Sequence, residues 1–458
     1  MAYVPSHCHL YSLVDLFSPQ AGFVGGWIVL QLLERGEDPE KIRILDIRPP
    51  TRSDFQTGAA QQVTFLQVDI SDAVAVSAAF KAPWPDAEGE LEVTVFHTAA
   101  NIRFYEHHIA LLPRSSKVNH VGTVNVINAS KEIGANTLIY TSSASVSVRH
   151  SRFWLWPWEK RPAFFIQAYN DDDTHLPKQH DHFFSNYAVS KIMAEKEVRA
   201  ADKSPTSRSH TLRTGCIRPG NGVFGPGGDI LCGAYLVRKY NPTWVPNIIQ
   251  SFIYVENCAL AHLCYEQRLI ELERGSPNPD IGGQAFTVTD AGPPLTYGDA
   301  YTALHTLDEE TIFPVFSPTF MLGLSQVIEF FYVTKSLLST SDSSIRRAIA
   351  RVIPTMSGDI INLQTPMFAL LGVHLIFDDS RARLPPTKGG LGYHGPYTTL
   401  EGICKTADEY FKSDQNGEER SMSGGVSFGF GLKKSKGTSR VGKGVGKRLD
   451  VNAVTALN

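Results

Sequence analysis

Tyr187 and Lys191, in the stretch FFSNYAVSKIMAEKEV, stand four residues apart and share one face if the segment is helical. A phenol with a pKa of about 10 is a poor base at neutral pH. A neighbouring ammonium favours the phenolate and lowers that value. The pair therefore has the makings of a proton-transfer couple acting on a substrate hydroxyl. The same spacing recurs at Tyr235 and Lys239 in GAYLVRKYNP, so spacing alone does not choose between them. LIYTSSASVSV does choose. It reads as a strand ending in the hydroxyls of Thr141, Ser142 and Ser143, and ligands meet a parallel sheet at the carboxyl ends of its strands. Ser143 there can hydrogen-bond a substrate oxygen. The segment has no Gly-x-Ser-x-Gly turn, which excludes serine-hydrolase chemistry, and Tyr235 has no comparable hydroxyl cluster upstream.

A second group of residues suits a dinucleotide. AGFVGGWIVLQLLERG places Gly22 and Gly25 ahead of an apolar helix, with Phe23 and Val24 between them. Asp46 closes RILDI and follows Gly22 by roughly the ~20 residues expected of a ribose-binding carboxylate. Asp46 would repel a 2′-phosphate, which favours NAD over NADP; Arg48 weakens that preference. Asp69 and Ile70, in QVDIS, end another strand, where Asp69 would either meet the adenine amino group or stand as a solvated loop carboxylate. Against this, Pro19 and Gln20 occupy the turn before Gly22. Proline fixes φ and removes an N–H, and a glutamine side chain would crowd a bound phosphate.

These residues need strands and helices to hold them. KIRILDI (41–47), VTFLQVDI (63–70), LEVTVFHTAA (91–100) and NTLIYTSS (136–143) read as strands separated by helical patterns. That alternation gives an α/β fold, a doubly wound parallel sheet covered on both faces. The strand before Gly22 is expected in SLVDLFS, where Asp15 is a poor fit to a buried position. The expected organisation is an atypical segment over 1–21, a nucleotide-binding domain over 22–260 with an aromatic flap at 151–185, a substrate-capping region over 261–412, and a Gly-, Ser- and Lys-rich disordered tail over 413–458.

The 458 residues are 42 % hydrophobic and 19 % charged, with a formal net charge of -3. A sizeable core can form, and no basic field points to nucleic acid. Six cysteines without a CxxC pair suit a reducing, cytoplasmic setting, and HCH at 7–9 has no second cluster to make a zinc site. The opening residues lack a signal-peptide pattern. FMLGLSQVIEFFYVTKSLL (320–338) is broken by Gln326, Glu329 and Lys335. It suits a buried amphipathic helix or one lying on a membrane surface rather than a spanning one.

The combination resembles the 3β-hydroxysteroid dehydrogenase/isomerase family, which includes sterol-4α-carboxylate 3-dehydrogenases, within the extended short-chain dehydrogenase/reductases. The resemblance runs through AGFVG, ILDIRPP, VDISD, FHTAANI, VNHVGTVNVI, YTSSASV, YAVSK, IRPGNGVFGPG, SFIYVENCALAHL and FDDSRARLPPTKGGLGY. It implies Tyr187 as general acid/base, Lys191 on the nicotinamide ribose, Ser143 on the reacting oxygen and Asn119 supporting the proton relay. It further implies that Ala99, Ala100 and His97 line the cofactor, that Arg218 and Pro219 open the loop beneath nicotinamide and substrate, and that Tyr254 and Asn257 are structural. The implied reaction is NAD-dependent oxidation of a 3β-hydroxyl on a sterol-like substrate, with loss of carbon dioxide where C4 carries a carboxylate. The family also implies peripheral attachment to the endoplasmic reticulum and permits a homodimer. Two other readings stay open: a reductase of another bulky alcohol or ketone, and a binding protein that keeps the fold without the cofactor. In the superfamily the phosphate turn has glycines at the positions of Pro19 and Gln20, so weakened NAD binding is expected if residues 1–21 replace the ancestral start, and retained binding if they form a variant loop.

Overall fold

The computed structural model describes residues 8–14, 23–50, 52–84, 91–158, 160, 162–229, 231–356 and 358–415. Seven strands form the main sheet: β1 (Cys8–Val14), β2 (Ile42–Asp46), β3 (Thr64–Gln67), β4 (Leu91–His97), β5 (Thr137–Thr141), β6 (Thr211–Pro219) and β7 (Ala285–Val288). Their order is β7-β6-β5-β4-β1-β2-β3, every neighbour parallel, with Ser204–Pro205 added antiparallel to β6. The order reverses between β1 and β4, and that crevice is where such sheets bind ligand.

The strands are apolar on both sides because helices cover both faces. Phe96, Ile139 and Ile217 pack with Ile28, Val29 and Leu32 of α1 (Phe23–Glu34) and with Ala259, Leu263 and Leu269 of α5 (Val255–Glu273). Their neighbours Val95, Leu138 and Cys216 point the other way. These pack with Val76 and Phe80 of α2 (Ala73–Lys81), Val126 and Ile127 of α3 (Thr123–Ile133) and Ala194 and Val198 of α4 (Asn186–Ala200). Burying each such aliphatic side chain contributes about 1.5–3 kcal/mol. Local signals set the helix ends: the Asp72 carboxylate accepts from the Val74 and Ala75 amides at the start of α2, and Gly134, at φ 72°, ends α3.

Three expectations need correction. The first strand is not SLVDLFS but Cys8–Val14, paired in register with both β2 and β4; the chain enters the sheet earlier than the expected segment. Residues 8–14 thus belong to the fold, while residues 15–22, with Asp15, Pro19, Gln20 and Gly22, lie outside the described residues. The βαβ rhythm also does not stop at 260: that boundary falls inside α5, which leads to β7 beside β6. At the other end, the last helix runs Thr399–Gln415, past the tail's expected start, and 416–458 lie outside the described residues.

Beyond the main sheet, Ile166–Tyr169 from the flap pairs with His374–Phe377, which continues through Ile249–Gln250 to Leu295–Thr296. Flap and capping region are therefore joined through one small sheet. The helices Pro318–Ser339 and Ser344–Val352 pack together in the capping region. Among the described residues no helix is long and apolar enough to cross a membrane.

Candidate active site

α4 begins where the Ser185 hydroxyl accepts from the Ala188 amide. This places Tyr187 in its first turn and Lys191 one turn further on the same face. The Ser143 side chain interacts with the Tyr187 hydroxyl and favours its ionised form. Ser143 caps the short turn Ala144–Ser147, its Oγ accepting from the Ser145 amide at 3.2 Å and lying 2.7 Å from Ser145 Oγ. Lys191 is buried; its Nζ donates to the Thr141 carbonyl at 2.5 Å and lies 4.3 Å from the centre of the Tyr140 ring. Phenol, serine hydroxyl and ammonium thus gather at the carboxyl end of β5. The rival pair does not form: its helix, Gly233–Arg238, stops before Lys239, whose φ of 65° turns the chain and whose ammonium pairs with Asp308 at 2.6 Å.

The electrostatics differ from the simple expectation. Burial pushes the Tyr187 phenol up to about 12, opposed by its polar interaction with Ser143. Burial also brings the Lys191 ammonium down to about 7. Burial is thus the leading influence on both groups.

Behind these groups lies a hydrogen-bonded frame. Asn119 is fully buried in a π-turn, Lys117–Gly122, a distortion that tends to occur at functional sites. Its Nδ2 donates to Ser190 Oγ (2.9 Å) and to the Asn101 carbonyl (3.0 Å), and Ser190 Oγ donates to the Tyr187 carbonyl at 2.8 Å. The Thr123 hydroxyl spends its proton on the Asn119 carbonyl, so His97 Nε2, 2.8 Å away, is the donor to Thr123. Arg218 forms a buried ion pair with Glu195, at 2.5 and 2.9 Å, and reaches Asp173 at 2.8 Å. That makes Arg218 a structural residue of the sheet's end and not a loop residue beneath the substrate. Tyr254 and Asn257 are likewise held in place: the Tyr254 amide and Asn257 Nδ2 both donate to Asp290 Oδ1 at 2.7 Å.

The expected cofactor residues sit at or near the same end of the strands. Gly25 is buried in the first turn of α1, with Phe23 and Val24 half-buried beside it; Gly22 lies outside the described residues. Asp46 is buried at the end of β2, its Oδ1 accepting from the Arg48 amide at 3.0 Å, while the Arg48 side chain is exposed. Asp69 is exposed and caps its own turn through the Ser71 amide. Ile70 is buried and its carbonyl is taken by Asn125. Ala99, Ala100 and Pro219 are buried. The donor set suits a nicotinamide dinucleotide. Lys191 carries three N–H donors and, among the described residues, one hydrogen-bond acceptor, leaving donors for ribose hydroxyls; Asp46 supplies a carboxylate where the other ribose would lie.

The sequence model of the 3-beta hydroxysteroid dehydrogenase/isomerase family matches residues 19–310. The chain belongs to this family. It is 28 % identical over 295 residues to mouse 3 beta-hydroxysteroid dehydrogenase type 7, covering 63 % of this chain and 71 % of that one. It is 29 % identical over 275 residues to the decarboxylating sterol-4-alpha-carboxylate 3-dehydrogenase of Schizosaccharomyces pombe, covering 59 % and 68 %. The UDP-glucose 4-epimerase of Thermus thermophilus, solved in complex with NAD, shares the fold, with a TM-score of 0.51 and 18 % identity over 88 % of this chain and 99 % of that one. The protein is thus an oxidoreductase of the 3β-hydroxysteroid dehydrogenase type, acting on CH–OH groups, in a family that uses a nicotinamide cofactor.

In this 3β-hydroxysteroid dehydrogenase family chain, sequence reading missed two buried supports. Glu195 lies one turn after Lys191, and its Oε2 accepts from Ser142 at 2.6 Å; the spacing YAVSKIMAE could have flagged it. Burial would raise its pKa, but Arg218 and Ser142 hold it below the usual value. His262 left no local signal. Its Nδ1 faces the Cys258 carbonyl at 2.7 Å and so carries the proton, and Nε2 accepts from the Thr141 hydroxyl at 2.7 Å. Just past Pro219, a partly open cavity of about 60 Å³ is lined by Gly222, Tyr235, Trp244, Phe252, Tyr297 and Tyr301, among others. It has room for a few waters, well below the ~300 Å³ at which ligand pockets begin, so any bulky ligand there requires these aromatics to part.

Proposed function

We propose that the protein oxidises the 3β-hydroxyl of a sterol-like substrate, with NAD as hydride acceptor, through Tyr187, Ser143, Lys191 and Asn119. The gathering of Tyr187, Ser143 and Lys191 at the carboxyl end of β5 carries this reading. Ser143 orients the alcohol oxygen as it becomes a carbonyl. Tyr187 takes the alcohol proton. When bound, the nicotinamide supplies the electrophilic carbon that accepts the hydride. Lys191, with donors to spare, holds ribose hydroxyls, and Asn119 braces the tyrosine through Ser190. Asp46 favours NAD over NADP. Where the substrate bears a 4-carboxylate, the product is a β-keto acid; carbon dioxide leaves as the C4–carboxyl bond breaks, that bond's electron pair forms the C3–C4 double bond of an enolate while the carbonyl π pair moves to oxygen, and C4 then takes up a proton. A peripheral membrane setting fits the exposed Phe320, Val327 and Phe330 and the helix Ser344–Val352.

The test incubates the full chain with 3β-hydroxysterols, with and without a 4-carboxylate, and with phenolic and polyketide-like alcohols, each with NAD or NADP, and follows ketone formation by mass spectrometry. Tyr187→Phe is expected to lose about 10³-fold in turnover; undiminished turnover would refute the assignment. A second reading, a family member that no longer holds cofactor, is favoured by Pro19 and Gln20. Calorimetric titration with NAD separates the two, micromolar affinity supporting the enzyme.

A further inference from the structure

A cationic cluster that the catalytic scheme does not use lies where the loop after β4 meets the capping region. Glu106 is 1 % exposed. Its Oε1 accepts from the Tyr332 hydroxyl at 2.6 Å, from Arg114 Nη1 at 3.1 Å and from Arg103 Nη1 at 3.3 Å. Its Oε2 is buried with no hydrogen-bond partner. Arg103 also donates to the Tyr105 hydroxyl, and Arg114 to the Tyr332 hydroxyl. Two guanidiniums thus share one oxygen of one carboxylate and leave the cluster with a net positive charge. They are not sealed in: the side chains of Arg103 and Arg114 are 35 % and 36 % exposed.

The cluster is fastened to the catalytic helix at both ends of its loop. Before it, the Asn101 amide donates to Asn119 Oδ1 at 2.6 Å, and Asn119 reaches Tyr187 through Ser190. After it, the Glu106 carbonyl accepts from the Asn186 amide at 2.7 Å, one residue before Tyr187. Between these anchors, Phe104 and Tyr105 pack in the same apolar cluster as Ala144, Ala188 and Tyr187. The third donor to Glu106, Tyr332, comes from Pro318–Ser339 of the capping region. The loop that carries the surplus charge is therefore anchored beside Tyr187 on one side and joined to the helix Pro318–Ser339 on the other. A guanidinium matches the planar, two-oxygen geometry of a carboxylate better than any other side chain.

We infer that Arg103, backed by Arg114, binds a carboxylate on the substrate close to the alcohol being oxidised, and so makes the enzyme selective for acidic over neutral 3β-hydroxysterols. This rests on the dehydrogenase reading and adds the recognition element for the substrate's charge. Glu106 is its counterweight: by occupying both guanidiniums it limits their grip on the acid.

The experiment compares kcat/KM for a 3β-hydroxysterol bearing a 4-carboxylate with that for its 4-methyl counterpart, together with Kd for both sterols from tryptophan fluorescence and Kd for NAD by calorimetry. Arg103→Gln is expected to lower the acid-to-neutral ratio about ten-fold or more, with NAD affinity within about two-fold of the parent. Glu106→Gln should move the ratio in the opposite direction, which a merely structural role would not do. Arg103→Lys, a point charge without the fork, should restore part of the preference. An unchanged ratio in Arg103→Gln overturns the inference. So does an equal loss for both sterols with weakened NAD binding, which would give the guanidinium to the cofactor's diphosphate. A chain that oxidises neither sterol fails the dehydrogenase reading; the sterol Kd ratio still decides the role of Arg103, and equal Kd values overturn it. Melting temperatures of all variants show whether the fold is kept.

Discussion

Lys191 and His262 show how burial shapes the site residue by residue. Both converge on Thr141, one on its carbonyl and the other on its hydroxyl. Burial brings the Lys191 ammonium down to about 7, so the charged form is a strain on the fold that catalysis must use. Lys191→Met should therefore leave the melting temperature unchanged or raise it, while turnover falls at least ~10²-fold; a variant both unstable and inactive would show that the side chain mainly supports the fold. Burial also brings His262 down to about 4, against about 6.5 in the unfolded chain. Between those values the unfolded state binds the proton and the folded state does not, so stability falls as pH falls from about 6.5 toward 4. The share lost between pH 7 and pH 5 is about 2 kcal/mol. His262→Gln can keep both hydrogen bonds without titrating, and urea unfolding at the two pH values should show that share removed. His107, also brought down to about 4 by burial, adds acid sensitivity of the same sign that the variant retains.

α4 works as an element because its inner face is braced along its length. Tyr187 meets Ser143, Ser190 meets Asn119, Lys191 meets Thr141, and Glu195 meets Ser142 and Arg218. The Glu195–Arg218 pair is fully buried. Losing one partner strands a charge, so Glu195→Ala should cost about 3–5 kcal/mol in denaturant unfolding, and an apolar replacement of both residues should recover most of that. The π-turn that carries Asn119 is equally tight: a Cβ on Gly122 would lie 2.6 Å from Ile70 Cδ1. Gly122→Ala should cost about 1–3 kcal/mol of stability and lower kcat more than it raises KM, since it disturbs the brace behind Tyr187.

Across the whole molecule, the capping region offers a surface as well as a cover. On Ser344–Val352 the apolar side chains Ile345, Ile349 and Val352 are all exposed, while Ala350 is the buried one. The helix thus turns its apolar stripe away from the protein, flanked by Arg346, Arg347 and Arg351. That arrangement suits the surface of an anionic bilayer. Co-sedimentation with vesicles containing phosphatidylserine is expected, weaker with neutral vesicles and in high salt, and reduced by Ile349→Asp; equal recovery of parent and variant would remove this helix from the attachment.

The shared helical face of Tyr187 and Lys191 and the parallel sheet were legible in the amino-acid order, because both are local patterns. Apolar strands separated by amphipathic helices report burial on two faces, and a four-residue spacing reports one helical face. Local pattern misplaced the first strand, because the register over Cys8–Val14 comes from pairing with two other strands that the local pattern does not show. It also stopped the sheet too early, because the short run Ala285–Val288 becomes a strand only by lying against β6. The hydroxyl cluster already set Tyr235 and Lys239 aside in the sequence, and the helix end at Arg238 gives the structural reason; tertiary structure alone brought His262, Glu195 and Arg218 to the end of β5 from distant parts of the chain. The order of residues sets which groups are present and their local periodicity; which of them meet, and how far burial shifts their protons, depends on contacts that only the folded chain makes.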